Sequence, residues 1–380
     1  MPQALLDISV IVAASALLAW LAAVLRQPII VAYVACGILA GPSVLGLVSG
    51  TEFIDAVSQF GIILLLFHAG VVMHLRRLKQ LALKAVVVTL GQAAVSLALA
   101  AGFGMLAGLG LGEGLILGLA LSFSSTILVI KLMPTVALHH QRMGAFSIAI
   151  LILQDLAAVA ALMFIGGRSH PALLVLKGGL IFSLSLAFER WALRPAMMSI
   201  ERYRELLFLL AIGWGMGMAY LAVMVGFSPE ATAFIAGLAL ARSPLSLFLS
   251  EGLKLFRDFF LVFFFFVLGA RMDMAGLPSA APVAALLAAV LVLSKYLGFQ
   301  VLFRATGEDR AFSREASLRL SQSSEFALIM AIAALRYGRI SHGTAGLIQL
   351  TTLITMIASS YLVVFLLPTP LGVTGGMKQD

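Results

Sequence analysis

Asp155 stands in the stretch LILQDLAAVA, residues 151–160, and is the only charged residue between Gly144 and Ile165. A carboxylate is costly to keep ionised in apolar surroundings, so an acid at such a place calls for a function. Its chemistry is twofold. Ionised, it offers a hard oxygen ligand of the kind that suits an alkali cation. It also takes up a proton, near pH 4 when unperturbed. One group therefore holds a proton or a monovalent cation but not both fully, and that competition is enough for obligatory exchange. The plainer alternative is a neutral aspartic acid hydrogen-bonded between helices. Gln154 precedes it and adds an uncharged amide to the same point of the chain.

Other polar residues interrupt apolar runs. Ser122, Ser124, Ser125 and Thr126 break one, and Ser321, Gln322, Ser323, Ser324 and Glu325 break another. Hydroxyls that bond backbone carbonyls loosen helices. Two helices broken at matching places would present free amide and carbonyl ends, able to bind or balance ions where they line a cavity or lie within protein. Helix packing through small residues is the alternative. Lys295 lies nine residues before Arg304, roughly 13 Å along a helix. Snorkelling over that reach is long, so a facing carboxylate or a polar cavity is expected instead. Glu325 beside a helix break would cap freed amides or pair with a base, a structural role.

His68 reads as a packing residue, and His139 and His140 as solvated loop. Cys36 reads as inert packing, and the run FFLVFFFF as lipid-facing or interface bulk. There is no phosphate loop, metal-ligand spacing or catalytic triad in the chain, so neither an enzyme nor a cofactor is expected. GLGLGEG follows an apolar helix and is no dinucleotide signature.

These residues need a scaffold, and composition says which kind. Of 380 residues, 62% are hydrophobic and 11% charged, with a mean hydropathy of +1.09. A soluble domain carries about 25% charge; this chain lacks the polar surface to cover itself and reads as an all-α polytopic membrane protein. About thirteen spans are expected, at 5–25, 28–47, 53–74, 83–109, 113–133, 144–166, 171–192, 204–225, 229–242, 254–271, 279–303, 315–335 and 343–367. With the N-terminus outside, 19 Lys and Arg fall in cytoplasmic loops and 5 outside, with Lys295 within the membrane. That bias orients the chain with its C-terminus cytoplasmic. It also explains the net charge of +8 without nucleic acid. The first span lacks a basic leader, so a cleaved signal peptide is not expected.

The chain also repeats itself. VAYVACGILAGPSVLG resembles EATAFIAGLALARSPL, FGIILLLFHAGVVMHL resembles FFLVFFFFVLGARMDM, and LSFSSTILVI resembles LSQSSEFALI. Gly37 to Gly237 is an offset of 200, and Gly70 to Gly269 and Ser125 to Ser324 are offsets of 199. Seven spans separate the copies, so they would lie inverted in the membrane, a mark of secondary transporters. The counterpart of Asp155 would be Ile354, which makes the site asymmetric.

At these residues the sequence resembles the monovalent cation:proton antiporter-2 family, and most nearly Kef-type potassium/proton antiporters, over essentially its whole length. LSFSSTILVIKLM is similar to the family's Ser-Ser-Thr crossing segment, ILILQDLAAVA to its Gln-Asp ion-site motif, SQSSEFALI to its Gly-Gly-Glu-Phe-Ala-Phe segment, and FFFFVLGARMDM to its span-ten ending. The resemblance implies an inverted-repeat fold with two crossing broken helices. Spans four to six and eleven to thirteen would form a moving core, spans one to three and eight to ten a dimerising scaffold, and span seven a linker. Alternating access would be elevator-like.

By motif, the resemblance makes Asp155 the cation- and proton-binding carboxylate, and Ser125 and Thr126 the unwound crossing. Gln154 replaces an acid that pairs with the span-eleven lysine in Asp-Asp members, and Lys295 matches that lysine. Ser323 and Ser324 replace the double glycine, and Val72 stands where many members carry an acid. Kef-type proteins usually carry a cytosolic nucleotide-binding domain; none is expected within residues 1–380, which leaves room for a separate regulatory subunit. The expected activity is electroneutral exchange of potassium, or of sodium, for one proton by a homodimer in a bacterial inner membrane. An ion-binding sensor or channel-like subunit without coupled exchange is the alternative.

Overall fold

The computed structural model describes residues 3–25, 27, 29–42, 44–48, 51–73, 82–133, 142–166, 171–200, 202–271 and 277–367. Every regular element among them is helical. In chain order they are α1 (Gln3–Val24), α2 (Ile29–Ala40), α3 (Thr51–Val72), α4 (Ala82–Leu106), α5 (Leu111–Leu121), α6 (Thr126–Leu132), α7 (Arg142–Gly166) and α8 (Pro171–Phe188). There follow α9 (Arg194–Ser199), α10 (Arg204–Met224), α11 (Pro229–Leu240), α12 (Ser246–Ala270), α13 (Leu277–Ala305), α14 (Arg310–Leu320), α15 (Glu325–Arg336) and α16 (His342–Leu366). Helices occupy all thirteen stretches read as spans. Among the described residues, eight stretches are long and apolar enough to cross a membrane, and α2, α5 and α11 are shorter apolar helices. His139 and His140 lie outside the described residues.

The chain divides into two compact units. The first comprises residues 1–18, 33–75 and 159–271. Its helices meet backbone to backbone through glycine. A Cβ on Gly37 of α2 would sit 2.0 Å from the Phe266 carbonyl oxygen of α12, and one on Gly269 of α12 would sit 2.0 Å from the Val34 carbonyl oxygen of α2. Gly70 of α3 and Gly237 of α11 repeat the arrangement, at 2.3 Å from the Phe234 carbonyl oxygen and 2.0 Å from that of Phe67. Only a residue without a side chain permits such approach, which in a membrane replaces the hydrophobic effect as the source of helix association.

The second half of the phenylalanine run is a correction to the sequence reading, whereas Phe259 in its first half is 48% exposed. Phe263, Phe264, Phe265 and Phe266 are all buried, at 2% exposure or less, because α12 lies between the glycine faces of its neighbours. His68 is buried in this unit, its Nε2 3.1 Å from the Ser250 carbonyl and its Nδ1 3.1 Å from Arg257 Nη1. A π-helical turn, Glu189–Leu193, joins α8 to α9 just before Pro195, which has no N–H to continue the α-helical ladder.

The second unit comprises residues 19–32, 76–158 and 272–380. Its apolar centre is aromatic: Phe146 of α7 and Phe299 and Phe303 of α13 pack with Ala85, Val88 and Leu320, and Phe312 of α14 stacks edge-on to Phe303. Two of its helical runs are interrupted in matching ways. α5 stops at Leu121 and α6 starts at Thr126; α14 stops at Leu320 and α15 starts at Glu325. At each stop a serine turns back on its own helix: Ser122 Oγ donates to the Gly118 carbonyl and Ser321 Oγ to the Leu318 carbonyl. At each restart a serine in extended backbone caps the new helix. Ser125 Oγ accepts from the Leu128 N–H, and Ser324 Oγ from the Phe326 N–H.

Candidate functional site

The two interruptions create four helix ends inside one unit, and each end carries unpaired backbone groups that need partners. The carbonyl ends meet at Lys295. This side chain, fully buried on α13, donates from Nζ to the Phe123 carbonyl at 2.8 Å and to the Gln322 carbonyl at 3.1 Å. Phe123 and Gln322 are themselves 199 residues apart, so one ammonium group serves repeat-related positions. The sequence reading expects a carboxylate or a polar cavity here. Two helix C-termini, each with its partial negative charge, fill that place.

The amide ends are held by the helices that follow. Gln154 Oε1 on α7 accepts the Ser124 N–H at 2.9 Å, and Thr355 Oγ1 on α16 accepts the Ser323 N–H at 3.1 Å. Ser124 Oγ donates to the Leu320 carbonyl at 2.6 Å, tying the first interruption to the second. Gln322 reinforces the tie, with its Nε2 3.5 Å from the Ser125 carbonyl and its Oε1 accepting from Ser359 Oγ at 3.1 Å. Gln154 thus acts on backbone, and the lysine that the resemblance pairs with its position bonds elsewhere.

Asp155 lies one residue further along α7. The Thr126 hydroxyl, at the first position of α6, donates to its carboxylate, with Oγ1 3.2 Å from Oδ2 and 3.3 Å from Oδ1. Both residues are partly exposed, whereas Gln154, Ser124 and Ser125 are buried. Glu325 stands at the first position of α15, which is the repeat-related place to Thr126. It is 3% exposed, has Ser324 Oγ 3.4 Å from its Oε2, and is near enough to Asp155 to act on it electrostatically.

The structure therefore gathers Asp155, Gln154, Ser124, Ser125, Thr126, Lys295, Ser323, Ser324 and Glu325 around two helix interruptions. Among the described residues no cluster of three or more His, Cys, Asp and Glu forms. The donors at hand are a carboxylate, a hydroxyl and backbone oxygens, which suit a hard monovalent cation. Thr355, Ser359 and the two carbonyls under Lys295 were missed by sequence reasoning. Thr355 takes the part that Gln154 plays in the first copy, but it lies two residues past Leu353, the formal counterpart of Gln154, so the repeat offset points to it only approximately. Carbonyls leave no mark in a sequence.

Comparison with known proteins gives a family and a fold. Residues 11–368 match the family model described as "Sodium/hydrogen exchanger, transmembrane". The chain is 28% identical over 354 residues to a protein named K(+) efflux antiporter 1, chloroplastic, from Arabidopsis thaliana; the match covers 88% of this chain and 29% of that protein. It is 26% identical over 346 residues to the iron transporter MagA of Paramagnetospirillum magneticum, covering 89% of this chain and 80% of MagA. The chain thus spans less than a third of the length of the chloroplastic relative. The structure of the sodium proton antiporter MjNhaP1 from Methanocaldococcus jannaschii at pH 8 superposes with a TM-score of 0.75 at 19% identity, over 95% of this chain and 96% of that one.

Proposed function

We propose that this chain, which belongs to the sodium/hydrogen exchanger transmembrane family, is an integral membrane antiporter that exchanges a monovalent cation for a proton at Asp155. The observation that carries the reading is the meeting of the Asp155 carboxylate with the first hydroxyl of a restarted helix. The positive N-terminal end of α6 favours negative charge at Asp155. A proton or a cation then neutralises that charge in turn. Thr126 Oγ has lone pairs to give a cation and a hydrogen to give a bare carboxylate, so it serves both states.

Electroneutral exchange follows from charge counting. Gln154 cannot titrate, so each guest cancels one carboxylate charge once. Potassium is favoured over sodium by the Gln-Asp resemblance and by the chloroplastic potassium efflux antiporter among the relatives. The inverted repeat is supported by the reciprocal glycine contacts, in which α2 with α12 and α11 with α3 exchange places under the offset of about 200 residues. Under this reading the unit holding Asp155 is the moving body of an elevator-like cycle. The unit holding α2, α3, α11 and α12 is the scaffold of a homodimer, in a cell membrane with the N-terminus outside.

The test is proton flux in proteoliposomes driven by potassium, sodium and lithium in turn, with and without a potential clamp. Wild-type protein is expected to exchange potassium for protons with no dependence on potential. Its apparent KM for the cation is expected to rise as pH falls, because proton occupancy of Asp155 excludes the cation. Conductance without proton movement would instead select a channel-like protein, and undiminished exchange by Asp155→Asn would remove the assignment.

A further inference from the structure

We infer that Arg319 is a positioning residue for the cation site: its guanidinium closes the carbonyl end of α6 and so holds Thr126 against Asp155. The inference rests on the exchange reading above, and it concerns a residue that neither the repeat nor the resemblance brings forward. Arg319 sits in the last turn of α14 and is 1% exposed. Its Nη1 donates to the Leu132 carbonyl at 2.7 Å. Its Nε and Nη2 donate to Glu315 Oε1 at 3.0 and 2.7 Å. The guanidinium is thus fixed by a carboxylate on its own helix and spends a remaining donor on the last residue of another.

That last residue matters because α6 is short. Its seven residues make fewer than two turns, and helices of that length hold together only through outside contacts. Ser125 caps one end. The other end turns into extended backbone at Met133, with ψ 130°, and its carbonyls carry the negative pole of the helix, where a cation stabilises it. Leu128, Val129, Leu132, Arg319 and Gln322 line one side of α6 together with α16, so the guanidinium reaches the end of α6 from within the packed protein.

The repeat supplies a control. The positions 199 residues away from Arg319 and Leu132 are Ala120 and Ala331. The second restart, α15, has twelve residues and continues well past that point. At those positions the repeat-related pair offers no arginine and no short helix end, so the contact made by Arg319 has no counterpart there. A buried guanidinium is expensive in an apolar setting, which makes its retention on structural grounds alone a poor bargain.

The test uses the purified full chain carrying Arg319→Met, Arg319→Lys or Glu315→Gln. Two quantities are read: KM and Vmax for potassium in proteoliposomes, and the potassium concentration giving half-maximal thermal stabilisation in detergent, with choline as the control ion. Arg319→Met is expected to raise both KM and the stabilisation midpoint about tenfold, equivalent to about 1.4 kcal/mol, with Vmax nearly unchanged. Arg319→Lys should restore most of the affinity. A folded Arg319→Met protein with wild-type KM and midpoint would overturn the inference. If Arg319→Met does not fold, Glu315→Gln decides. It leaves the bond to Leu132 but removes the ion pair that anchors the guanidinium, so a rise of about two- to fourfold in KM supports the role and an unchanged KM, in a variant whose melting temperature shows the anchor weakened, overturns it. Wild-type protein that is stabilised by potassium yet moves no protons would sink the exchange reading, while the midpoints of the variants would still decide the role of Arg319.

Discussion

The two helix interruptions are near copies that differ in where the acid comes from. Both end on a serine bonded back to its own helix, both restart on a serine cap, and both give one carbonyl to Lys295 and one amide to the helix that follows. At the second restart the acid is Glu325, part of the helix it faces and buried. At the first restart that position is Thr126, and the acid, Asp155, arrives from α7 through one hydroxyl and is partly exposed. A helix start asks for negative charge. Supplied from within the helix and sealed, that charge is a fixed counterweight. Supplied from a neighbouring helix by a residue that is not fully buried, it is, under the exchange reading proposed above, the charge that an ion neutralises. Under that reading, this asymmetry is what sets the first helix start apart as the transport site.

The comparison is broken most directly by removing each acid in turn. Asp155→Asn is expected to lower cation-driven proton flux at least about a hundredfold while the protein stays folded. Glu325→Gln should fold less stably but retain measurable flux and the cation selectivity of the wild type. Equal loss of flux in both variants, each shown to be monodisperse, would mean that both acids carry ions and that the division of labour drawn above is wrong.

Lys295 tests what the two halves share. Lys295→Met would strip a donor from two buried carbonyls at once, at about 1–3 kcal/mol for each unpaired group. The expected result is a fall of several degrees in the detergent melting temperature, with cation affinity in the surviving protein altered less than its stability. A large loss of affinity with unchanged melting would show that the ammonium acts on the ion site rather than on the frame.

Much of this architecture is legible in the sequence, for reasons that also mark where legibility ends. Spans stand out because the bilayer demands long apolar runs. The interruptions stand out because clusters of polar residues, Ser124 to Thr126 and Ser321 to Glu325, are rare within such runs. Asp155 and Thr126 could both be named in advance, since an acid and a hydroxyl carry their chemistry in their side chains. The partners of Lys295 could not be, because every residue has a carbonyl. Thr355 slipped by two positions: it does for Ser323 what Gln154 does for Ser124, yet the offset of 199 from Gln154 lands on Leu353. Phe263 to Phe266 misled because an aromatic run has the same composition whether lipid or protein surrounds it; the glycines of α2 and α3, which make room for α12, are the better clue.

Thr126→Val sharpens the comparison at smaller scale. Losing the hydroxyl that reaches Asp155 should raise the apparent KM for potassium about three- to tenfold, with Vmax less affected, and Thr126→Ser should restore it. An unchanged KM in a folded Thr126→Val protein would leave Asp155 acting without the α6 start, contrary to the arrangement proposed.

The smallest expected effects are the most discriminating, because they begin from equal chemistry. Ser125→Ala and Ser324→Ala each remove one helix cap, and each should cost about 1 kcal/mol of stability. On melting temperature alone the two should be nearly indistinguishable. Their effects on transport should differ. The cap at Ser125 sets the first turn of α6 and with it the direction of the Thr126 hydroxyl, so its loss should raise cation KM about two- to threefold. The cap at Ser324 orients Glu325, which faces no exchangeable ion, and its loss should leave KM alone. If both alanine variants shift KM equally, the second helix start takes part in ion binding after all. If neither does, the contact between Thr126 and Asp155 is held by the rest of α6, and the brace at its far end becomes the stronger influence on affinity.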